Sequence, residues 1–413
     1  MRILYLHQHF SLPSGATATR AHAMATALAA AGHKVTIACG AYEGAVTGLT
    51  GRYRRGRRSG RVGPVEVVEF AIPCGNAQSF AVRLLAFLRF ALAAARLATR
   101  PQHGAWDVII ASSTPLTVAL PALWAKCRRG TPFVFEIRDP WPELPRAISA
   151  WSRGSHAGAN VPGPVLAAME PLANAACRRA AAVVALSDGM AETARARGAE
   201  KVHVVPNGCD LDLFGPHIAS WRPAEAASGE ILAVYAGAHG RANGLELLLN
   251  VASILQTWGD RRVRIVLVGS GGEKAGLMER AVGLRNVTFL DPMPKTRLAG
   301  LLAGSQIGLQ CLAPVPEFAE WTSPNKLMDY MAAGLPVVAN MEGRAARILA
   351  VGPCGIPTPP NNPAAFAAAL LALADDPAHR RALGEAGRQQ AVRQWGRLKL
   401  AQEFVAVVEA AAA

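Results

Sequence analysis

Two glycine-rich segments in the second half of the chain carry the residue types that bind phosphate. Residues 235–244 place His239 and Arg241 among glycines, after an apolar run typical of a strand and before a helical pattern. Glycine lets the backbone approach a phosphate group, and a helix N-terminus attracts negative charge. Residues 268–272 have the same setting, although a tight turn that needs a positive φ explains their glycines equally well. Both segments are therefore candidate phosphate-binding loops.

A third segment, residues 321–336, has the pattern of a helix with defined ends. Ser323 is a natural N-cap, and Pro324 is a natural first helical residue. Gly334 and Pro336 are the residue types that end helices. The spacing predicts a helix that begins at Pro324 and ends at Gly334.

Three polar residues of this predicted helix are spaced to share one face near its N-terminus. Asn325 and Asp329 are four residues apart, and Lys326 and Asp329 are three apart. A cation for phosphate and a carboxylate for ribose hydroxyls, beside the positive end of the helix, would form a site for a nucleotide diphosphate. The alternative is a surface helix with an internal Lys–Asp pair.

Two carboxylates in the first half, Asp139 and Glu143, follow an apolar run that ends at residue 137. At the exit of a strand either could orient or deprotonate an acceptor hydroxyl. Either could equally be a loop carboxylate paired with Arg138 or Arg146. Both interpretations stay open at the level of sequence.

The elements that position these residues are short apolar runs that alternate with helical patterns, as in parallel α/β sheets. The strands predicted in the first half are 2–6, 35–39, 65–72, 107–111, 132–137, 182–186 and 202–206. Those predicted in the second half are 231–236, 263–268, 286–290, 307–311 and 336–339. The chain closes with predicted helices near 363–375, 377–393 and 397–412.

The strand series predicts two domains, because 413 residues exceed one ordinary domain. A Pro-Asn-Gly break at residues 206–208 and a polar stretch at 210–229 divide the series. The predicted domains are 1–209 and 210–394, with a C-terminal helix at about 395–413 packed back on the first. Open α/β sheets bind ligands at the carboxyl ends of their strands, so two such domains predict a cleft between them.

Charge and cysteine content narrow the function further. Residues 1–205 hold 24 Lys and Arg against 11 Asp and Glu, so nearly all of the net charge of +14 lies in the first half. This asymmetry predicts an anionic partner for that half. The seven cysteines are spread singly without metal-ligand spacing, which predicts buried thiols, a reduced cytosol and no metal site. No uncharged stretch is long enough to span a bilayer.

Residues 80–99 form an apolar helical pattern interrupted by arginines. At 100° per residue, Arg89, Arg96 and Arg100 fall within about 40° of one another and leave a wide apolar face. With the arginine-rich stretch at residues 52–61, this pattern predicts a peripheral anchor on an anionic membrane. The alternative is a core helix with snorkelling arginines.

Five segments in order resemble the retaining glycosyltransferases of family GT4, and the whole chain resembles its WbuB-like branch, associated with bacterial O-antigen and capsule sugars. They are residues 14–20, 133–145, 206–212, 237–244 and 321–336. The resemblance implies a GT-B fold, two Rossmann-like domains with a donor/acceptor cleft between them. It also implies a nucleotide-diphosphate sugar held mainly by the second domain, no cofactor and no obligatory metal.

Residue roles follow from the resemblance by position. The implied donor-binding residues are Gly15, Thr17, Arg20, Gly237, His239, Gly240, Asn243, Gly269, Pro294, Ser323, Asn325 and Asp329. The candidate catalytic residues are Lys326, Arg241, Asp139, Glu143 and Glu320. Asp329 matches the second carboxylate of the family's E-x7-E pair, whereas the first falls on Trp321, beside Glu320. The family's phosphate-binding Arg and Lys fall on Ala238 and Asn243, so Lys326, Arg241 and Arg20 are left to neutralise the diphosphate.

The expected function is transfer of a sugar from a nucleotide-diphosphate donor to a lipid-linked or polysaccharide acceptor with retention of configuration, in the synthesis of surface polysaccharide. The expected donor is a UDP-linked amino or deoxy sugar. The expected location is the inner face of the cytoplasmic membrane. One alternative is a UDP-sugar 2-epimerase of the same fold. Another is a nucleic-acid-binding protein, but no interleaved aromatic platform or known nucleic-acid motif accompanies the basic stretch, so no nucleic-acid partner is expected.

Overall fold

Parallel strands connected by helices organise the chain into two units in this computed structural model, which describes residues 1–15, 19–75, 78–100, 104–152 and 161–413. Unit 1 comprises residues 1–206 and 398–413, and unit 2 comprises residues 207–397. The boundaries between the units, after residues 206 and 397, lie three residues from the predicted boundaries after residues 209 and 394. Thr17, an expected donor-binding residue, lies outside the described residues.

Unit 1 contains an eight-stranded sheet in the order β3-β4-β2-β1-β5-β6-β7-β8, parallel except for the antiparallel β3–β4 pair. Its strands are β1 (Arg2–Leu6), β2 (Lys34–Tyr42), β3 (Arg57–Val62), β4 (Val65–Cys74), β5 (Val108–Ser112), β6 (Phe133–Ile137), β7 (Ala182–Ala185) and β8 (Val202–Val204). Its helices are α1 (Arg20–Ala30), α2 (Phe80–Thr99), α3 (Ala119–Arg129), α4 (Glu143–Ser152), α5 (Gly163–Arg179) and α6 (Asp188–Ala196).

Unit 2 contains a six-stranded parallel sheet in the order β11-β10-β9-β12-β13-β14. Its strands are β9 (Ile231–Ala236), β10 (Val263–Val268), β11 (Val287–Leu290), β12 (Ile307–Gln310), β13 (Val337–Ala339) and β14 (Gly355–Pro357). Its helices are α7 (Glu246–Thr257), α8 (Lys274–Arg280), α9 (Lys295–Ala303), α10 (Phe318–Trp321), α11 (Asn325–Ala332), α12 (Gly343–Val351), α13 (Pro363–Asp375) and α14 (Pro377–Gln390). A short 3₁₀ helix, Arg241–Asn243, follows β9, and a π-helical turn, Ala391–Trp395, follows α14.

The last helix, α15 (Arg397–Ala412), packs on unit 1. Leu400, Phe404 and Val408 join the same buried cluster as the β1 side chains, and the Phe404 ring stacks on Tyr5 with centroids 6.2 Å apart. The predicted 397–412 helix therefore completes the core of the first domain from the far end of the chain.

Two strands, β3 and β14, were not predicted from the sequence. β3 lies in the arginine-rich stretch, and its side chains alternate between exposed and half-buried, so no apolar run marks it. β14 has only three residues, none of them fully buried. Both are edge strands, which bury too little apolar surface to leave a pattern.

In the described part of the chain, no helix is both long and apolar enough to cross a membrane. The 20-residue helix α2 coincides with the predicted amphipathic segment at residues 80–99.

Candidate functional site

The sheet of unit 2 reverses its strand order between β9 and β12, which are neighbours. Ligands of open α/β sheets bind at such a switch point, outside the carboxyl ends of the strands. The predicted glycine loop at residues 237–244 leaves β9 at this point. The loop includes the 3₁₀ helix Arg241–Asn243, and α7 begins at Glu246, so a helix follows the loop as predicted.

The two glycine-rich loops pack directly on each other. A Cβ on Gly269 would lie 1.9 Å from the carbonyl oxygen of Gly237, and Gly269 has a φ of +144°. The Gly237 N–H donates to the carbonyl oxygen of Val268 at 2.9 Å. Gly269 therefore permits the close approach of the two loops. This packing role explains the glycine without any contact to a ligand.

Lys326, on the first turn of α11, extends over the Gly237 loop. Its Nζ lies 4.6 Å from the centroid of the Tyr235 ring and donates to the Tyr235 hydroxyl at 3.3 Å and to Asn243 Oδ1 at 3.4 Å. A Cβ on Gly237 would approach Lys326 Cε to 2.9 Å. The missing side chain at residue 237 thus makes room for the ammonium group.

The Lys326 ammonium group has no carboxylate within ion-pair distance among the described residues. The side chain is half-buried, and burial lowers the pKa of Lys326 to about 8. A half-buried cation held only by a neutral ring, a hydroxyl and an amide favours binding of an anion, because the anion would restore the charge stabilisation lost on leaving water.

Among the described residues, the ion-pair partner of Asp329 is Lys295 and not Lys326. Its carboxylate is 5% exposed and accepts from Lys295 Nζ at 3.2 Å. Lys295 also lies 3.5 Å from Asp210, whose carboxylate pairs with Arg397. Burial raises the pKa of Asp329, against the opposing charges of Lys295 and Arg397. A buried carboxylate needs a counterion, and Lys295 provides it.

The entry into α11 also differs from the prediction. The helix begins at Asn325 with Pro324 as its N-cap residue, and the Ser323 side chain makes no capping bond. Ser323 Oγ instead accepts from the backbone N–H of Asn207, and Asn207 Nδ2 donates to the Ser323 carbonyl oxygen at 2.7 Å. Asn325 is half-buried, and exposed Pro294 is the N-cap residue of α9.

His239 and Arg241 differ in what they can offer an anion. The His239 side chain is fully buried, and burial followed by the charge of Lys274 lowers its pKa to about 4, so the ring is neutral at pH 7. Arg241 is half-exposed, and its nearest carboxylate oxygen, on Glu273, is 3.9 Å away. Arg241 remains a candidate cation, as predicted, while His239 brings no charge. Gly240 adjoins open space, since a Cβ there would meet nothing within 4 Å.

In unit 1, Arg20 is a buried core residue, so its expected role as a phosphate-binding cation is wrong. Its guanidinium pairs with Glu136 at 2.8 Å and donates to the carbonyl oxygens of Val205 and Pro206. Burial alone would raise the pKa of Glu136, but Arg20 and Arg138 hold it below its ordinary value. All three guanidinium nitrogens of Arg20 are used within the unit.

Two of the three candidate catalytic carboxylates, Glu143 and Glu320, form ion pairs with arginines. Glu143 pairs with Arg197 and not with the predicted Arg138 or Arg146. Glu320 forms a two-point ion pair with Arg347, which lowers the pKa of Glu320. These ion pairs argue against catalytic roles for Glu143 and Glu320.

Asp139, the third candidate, accepts a hydrogen bond from Thr114 and is half-buried at the exit of β6.

The remaining sequence expectations concern Gly15, metal ligands and cysteines. Gly15 packs so closely that a Cβ would lie 2.3 Å from Ser11 Oγ. No cluster of metal-ligating side chains occurs among the described residues. Six of the seven cysteines are buried, as predicted, and Cys127 is exposed.

Sequence reasoning missed Tyr235 and Lys295. Tyr235 provides the surface on which Lys326 lies and donates its hydroxyl to the carbonyl oxygen of Ala238. An aromatic residue near the end of a strand, just before the glycine loop, was its signal. Lys295 has no comparable signal, because its partners Asp329 and Asp210 are distant in sequence.

Family models match both units. Residues 15–208 match the glycosyl transferase 4-like domain, and residues 230–376 match the glycosyl transferases group 1 domain. Both models describe domains of glycosyltransferases. The matches support the GT4 resemblance drawn from the sequence.

The curated relatives of this chain are distant. D-inositol 3-phosphate glycosyltransferase of Kribbella flavida is 29% identical over 204 residues, 46% of this chain and 47% of that protein. MMP alpha-(1->4)-mannosyltransferase of Mycolicibacterium hassiacum is 28% identical over 216 residues, 52% of this chain and 49% of that protein. The chain spans about half the length of the curated relatives it matches.

Solved structures resemble this chain over nearly its whole length. Sucrose-phosphate synthase from Thermosynechococcus elongatus has a TM-score of 0.72 at 17% identity, covering 98% of this chain and 97% of that one. Anabaena HepE in complex with UDP-glucose has a TM-score of 0.66 at 17% identity, covering 99% of both chains. WaaG, involved in lipopolysaccharide biosynthesis, has a TM-score of 0.64 at 14% identity, covering 99% of both chains. The predicted GT-B fold, with two Rossmann-like domains, is confirmed.

Proposed function

We propose that this chain transfers a sugar from a UDP-sugar to an acceptor with retention of configuration. The carrying observation is the half-buried Lys326 ammonium, which has no carboxylate partner among the described residues and lies over a loop whose Gly237 leaves space beside it. The site stands at the switch point of the unit 2 sheet, where such sheets bind nucleotides. The glycosyltransferase domain matches support a nucleotide sugar as the anion.

Lys326 and Arg241 would stabilise the charge that develops on the departing diphosphate. In the proposed step the bond between the sugar anomeric carbon and the phosphate oxygen breaks, and the acceptor oxygen bonds to that carbon on the same face. The acceptor proton passes to an oxygen of the leaving β-phosphate. Cations and backbone dipoles fixed before the reaction stabilise this developing charge more than water does. No protein carboxylate is needed as a nucleophile.

We further propose that the acceptor is lipid-linked and that unit 1 docks on an anionic membrane. Helices α2 and α3 pack together and expose a face, here named the α2–α3 face. Its exposed apolar residues are Val82, Leu85, Leu88, Leu92, Leu120 and Trp124. Arg89 and Arg96 are exposed among them, and the Arg128 guanidinium lies 4.9 Å from the Trp124 ring centroid.

This proposed membrane surface differs in part from the predicted one. The α2 face with Phe87 and Phe90 is buried in unit 1, so it is unavailable to lipid. In the stretch 52–61, Arg58 pairs with Glu69, while Arg54, Arg55 and Arg57 are exposed. Interleaved leucines and arginines suit the lipid headgroup region. A role in O-antigen or capsule synthesis at the inner face of the cytoplasmic membrane is the setting we propose.

A panel of UDP-, GDP- and dTDP-sugars tests the proposal. The full chain should bind UDP in calorimetry and hydrolyse one UDP-sugar slowly in the absence of acceptor. Addition of a bacterial lipid extract should convert hydrolysis into transfer with the same anomeric configuration. A chain that binds no nucleotide would overturn the proposal, and a released C2 epimer without transfer would favour the epimerase alternative.

A further inference from the structure

A cavity of about 790 Å³ opens in unit 1 at the carboxyl ends of β2 and β4. It is lined by the segment at residues 41–50, by Gly75 and Gln78, and by Tyr53, Arg58 and Glu69, among others. None of the donor-binding or catalytic candidates lies among the residues lining it. The carboxyl ends of parallel strands are where such sheets bind ligands.

Glu69 fixes the wall of this cavity. Its side chain is 3% exposed and accepts from Thr47 Oγ1 at 2.5 Å, from the Tyr53 hydroxyl, and from Arg58 Nε at 2.9 Å. The Arg58 guanidinium also lies 4.8 Å from the Tyr53 ring centroid. Burial and the Glu69 hydrogen bond raise the pKa of Tyr53 to about 12, so the phenol stays neutral. Tyr53 is thus held in one position although it is 39% exposed.

Other groups that line the cavity keep free hydrogen-bonding capacity. No hydrogen bond or ion pair to the Glu43 carboxylate occurs among the described residues, and the same holds for the Thr50 hydroxyl. Within the described ranges, Gln78 bonds only through its oxygen, which accepts from the Gly75 N–H at 3.2 Å. A carboxylate, an amide NH₂ and a hydroxyl beside an aromatic ring suit a polyhydroxy compound with one apolar face.

The charge of the residues that line the cavity argues against a ligand bound through a phosphate group. Arg58 is the lining cation, and Glu69 already neutralises it through a close pair. Glu43 leaves the lining with a net negative charge. Phosphate sites instead present a cation that is free to bind oxygens, as Lys326 is in unit 2. Repulsion from Glu43 would further weaken a bound phosphate.

We propose that this cavity binds an uncharged sugar unit, which is the acceptor in the transfer reaction. Glu43 accepts from a sugar hydroxyl, Gln78 Nε2 donates to another, and the Tyr53 ring packs on the apolar face of the sugar. That the bound sugar is the acceptor rests on the proposed function. An uncharged acceptor would differ from the inositol 3-phosphate in the name of the relative from Kribbella flavida.

Saturation-transfer NMR on the full chain tests the cavity without the reaction. Methyl hexosides and methyl N-acetylhexosaminides are compared with D-inositol 3-phosphate on the wild type, on Glu43→Gln and on Glu192→Gln. Glu192 is an exposed carboxylate of unit 1 outside the cavity. A neutral glycoside should bind the wild type and Glu192→Gln equally, and about tenfold more weakly to Glu43→Gln, the loss expected for one charge-assisted hydrogen bond.

Three readouts separate the possible failures. Glu43→Gln should leave UDP affinity and acceptor-free UDP-sugar hydrolysis unchanged, because it lies outside the donor site. Equal glycoside binding by Glu43→Gln and the wild type would overturn the cavity proposal, as would preferential binding of inositol phosphate that Arg58→Gln abolishes. Absence of UDP binding in the wild type would overturn the proposed function, whereas the glycoside result would still decide whether the cavity binds neutral sugars.

Discussion

At the residue scale, the proposed chemistry depends most on one ammonium group, that of Lys326. Folding has left Lys326 over a tyrosine ring without an anionic partner among the described residues, at a cost in solvation. Such a cost is offset when a ligand supplies the opposite charge. Lys326 is therefore the position at which a substitution should separate binding of the donor from mere stability of the fold.

Lys326→Ala should lower kcat/KM for sugar transfer by at least about 10²-fold, because a fixed cation at a leaving group contributes ~3 kcal/mol or more to transition-state stabilisation. Initial rates with the preferred UDP-sugar measure the effect. Arg261→Ala, which removes an exposed cation of the same unit, is the matched control. Near-wild-type kcat/KM in Lys326→Ala would exclude this residue from the site.

The lowered pKa of Lys326, about 8, predicts a pH dependence of donor binding. A bound diphosphate favours the protonated amine, so UDP binding at pH 8.5 should take up a proton, and affinity should fall as pH rises from 7.5 to 9.5.

The same pKa affects the stability of the free protein. Between about pH 8 and 10.5 the unfolded chain binds more protons than the folded chain, so Lys326 makes the free energy of unfolding rise with pH in that window. His239 and Cys311, with pKa values of about 4 and about 12, do not titrate there.

Calorimetry in two buffers of different ionisation enthalpy measures the proton uptake. Lys326→Arg is the control, because arginine stays charged throughout this range. Equal uptake by the wild type and Lys326→Arg would assign the proton to another group.

Single residues were the least predictable level from sequence. The i,i+3 spacing of Lys326 and Asp329 suggested a shared site, yet Asp329 pairs with Lys295, 34 residues away. Arg20 suggested a phosphate ligand, yet its partner Glu136 is 116 residues away. Local spacing limits which side chains can meet, whereas burial decides which charges must be paired, and burial depends on the whole fold.

At the scale of elements, the strand-to-helix loop after β9 is shaped for Lys326. Gly237→Ala would place a methyl group 2.9 Å from Lys326 Cε and 3.2 Å from its Nζ, so the side chain must move. UDP affinity should fall several-fold while the fold persists. Gly276→Ala, where a Cβ meets nothing within 4 Å, is the control. Calorimetry and thermal melting together check the prediction, and unchanged UDP affinity in Gly237→Ala would contradict the proposed loop geometry.

The α2–α3 face makes a second element-scale prediction. The full chain should float with anionic vesicles at low salt, and binding should weaken as salt screens the arginines. Leu85→Gln with Leu92→Gln should reduce flotation severalfold, because both side chains are more than half exposed and would enter the lipid. Val282→Gln with Val351→Gln removes apolar residues of unit 2 that are even more exposed, and this double variant should float like the wild type. Equal loss in both double variants, or no flotation at low salt, would refute the membrane surface.

Elements were predictable where they bury a continuous apolar run. The strand predicted at 231–236 coincides with β9, and the helix predicted at 363–375 coincides with α13. β3 was missed because an edge strand of arginines carries no such run. The sequence thus predicts elements through the surface they bury and is silent where they bury little.

At the scale of the whole molecule, sequence and structure agree on two α/β units with uneven charge. Nearly all of the net +14 belongs to residues 1–205, which also hold the α2–α3 face. Residues 206–413 are close to neutral, so in the proposed reaction Lys326 would act locally and not through a general basic field. An anionic surface would therefore attract one unit preferentially.

The packing of α15 on unit 1 has a consequence for synthesis. A ribosome that adds about 5–20 residues per second completes the strands of unit 1 roughly 10–40 s before the residues of α15 emerge. During that interval Tyr5 and its neighbours lack the cover that Phe404 and Val408 later provide. Unit 2, whose residues 207–397 are continuous, is free to fold within the same interval. The unit that begins first is thus the one finished last, and its uncovered apolar surface is where a chaperone would bind the nascent chain.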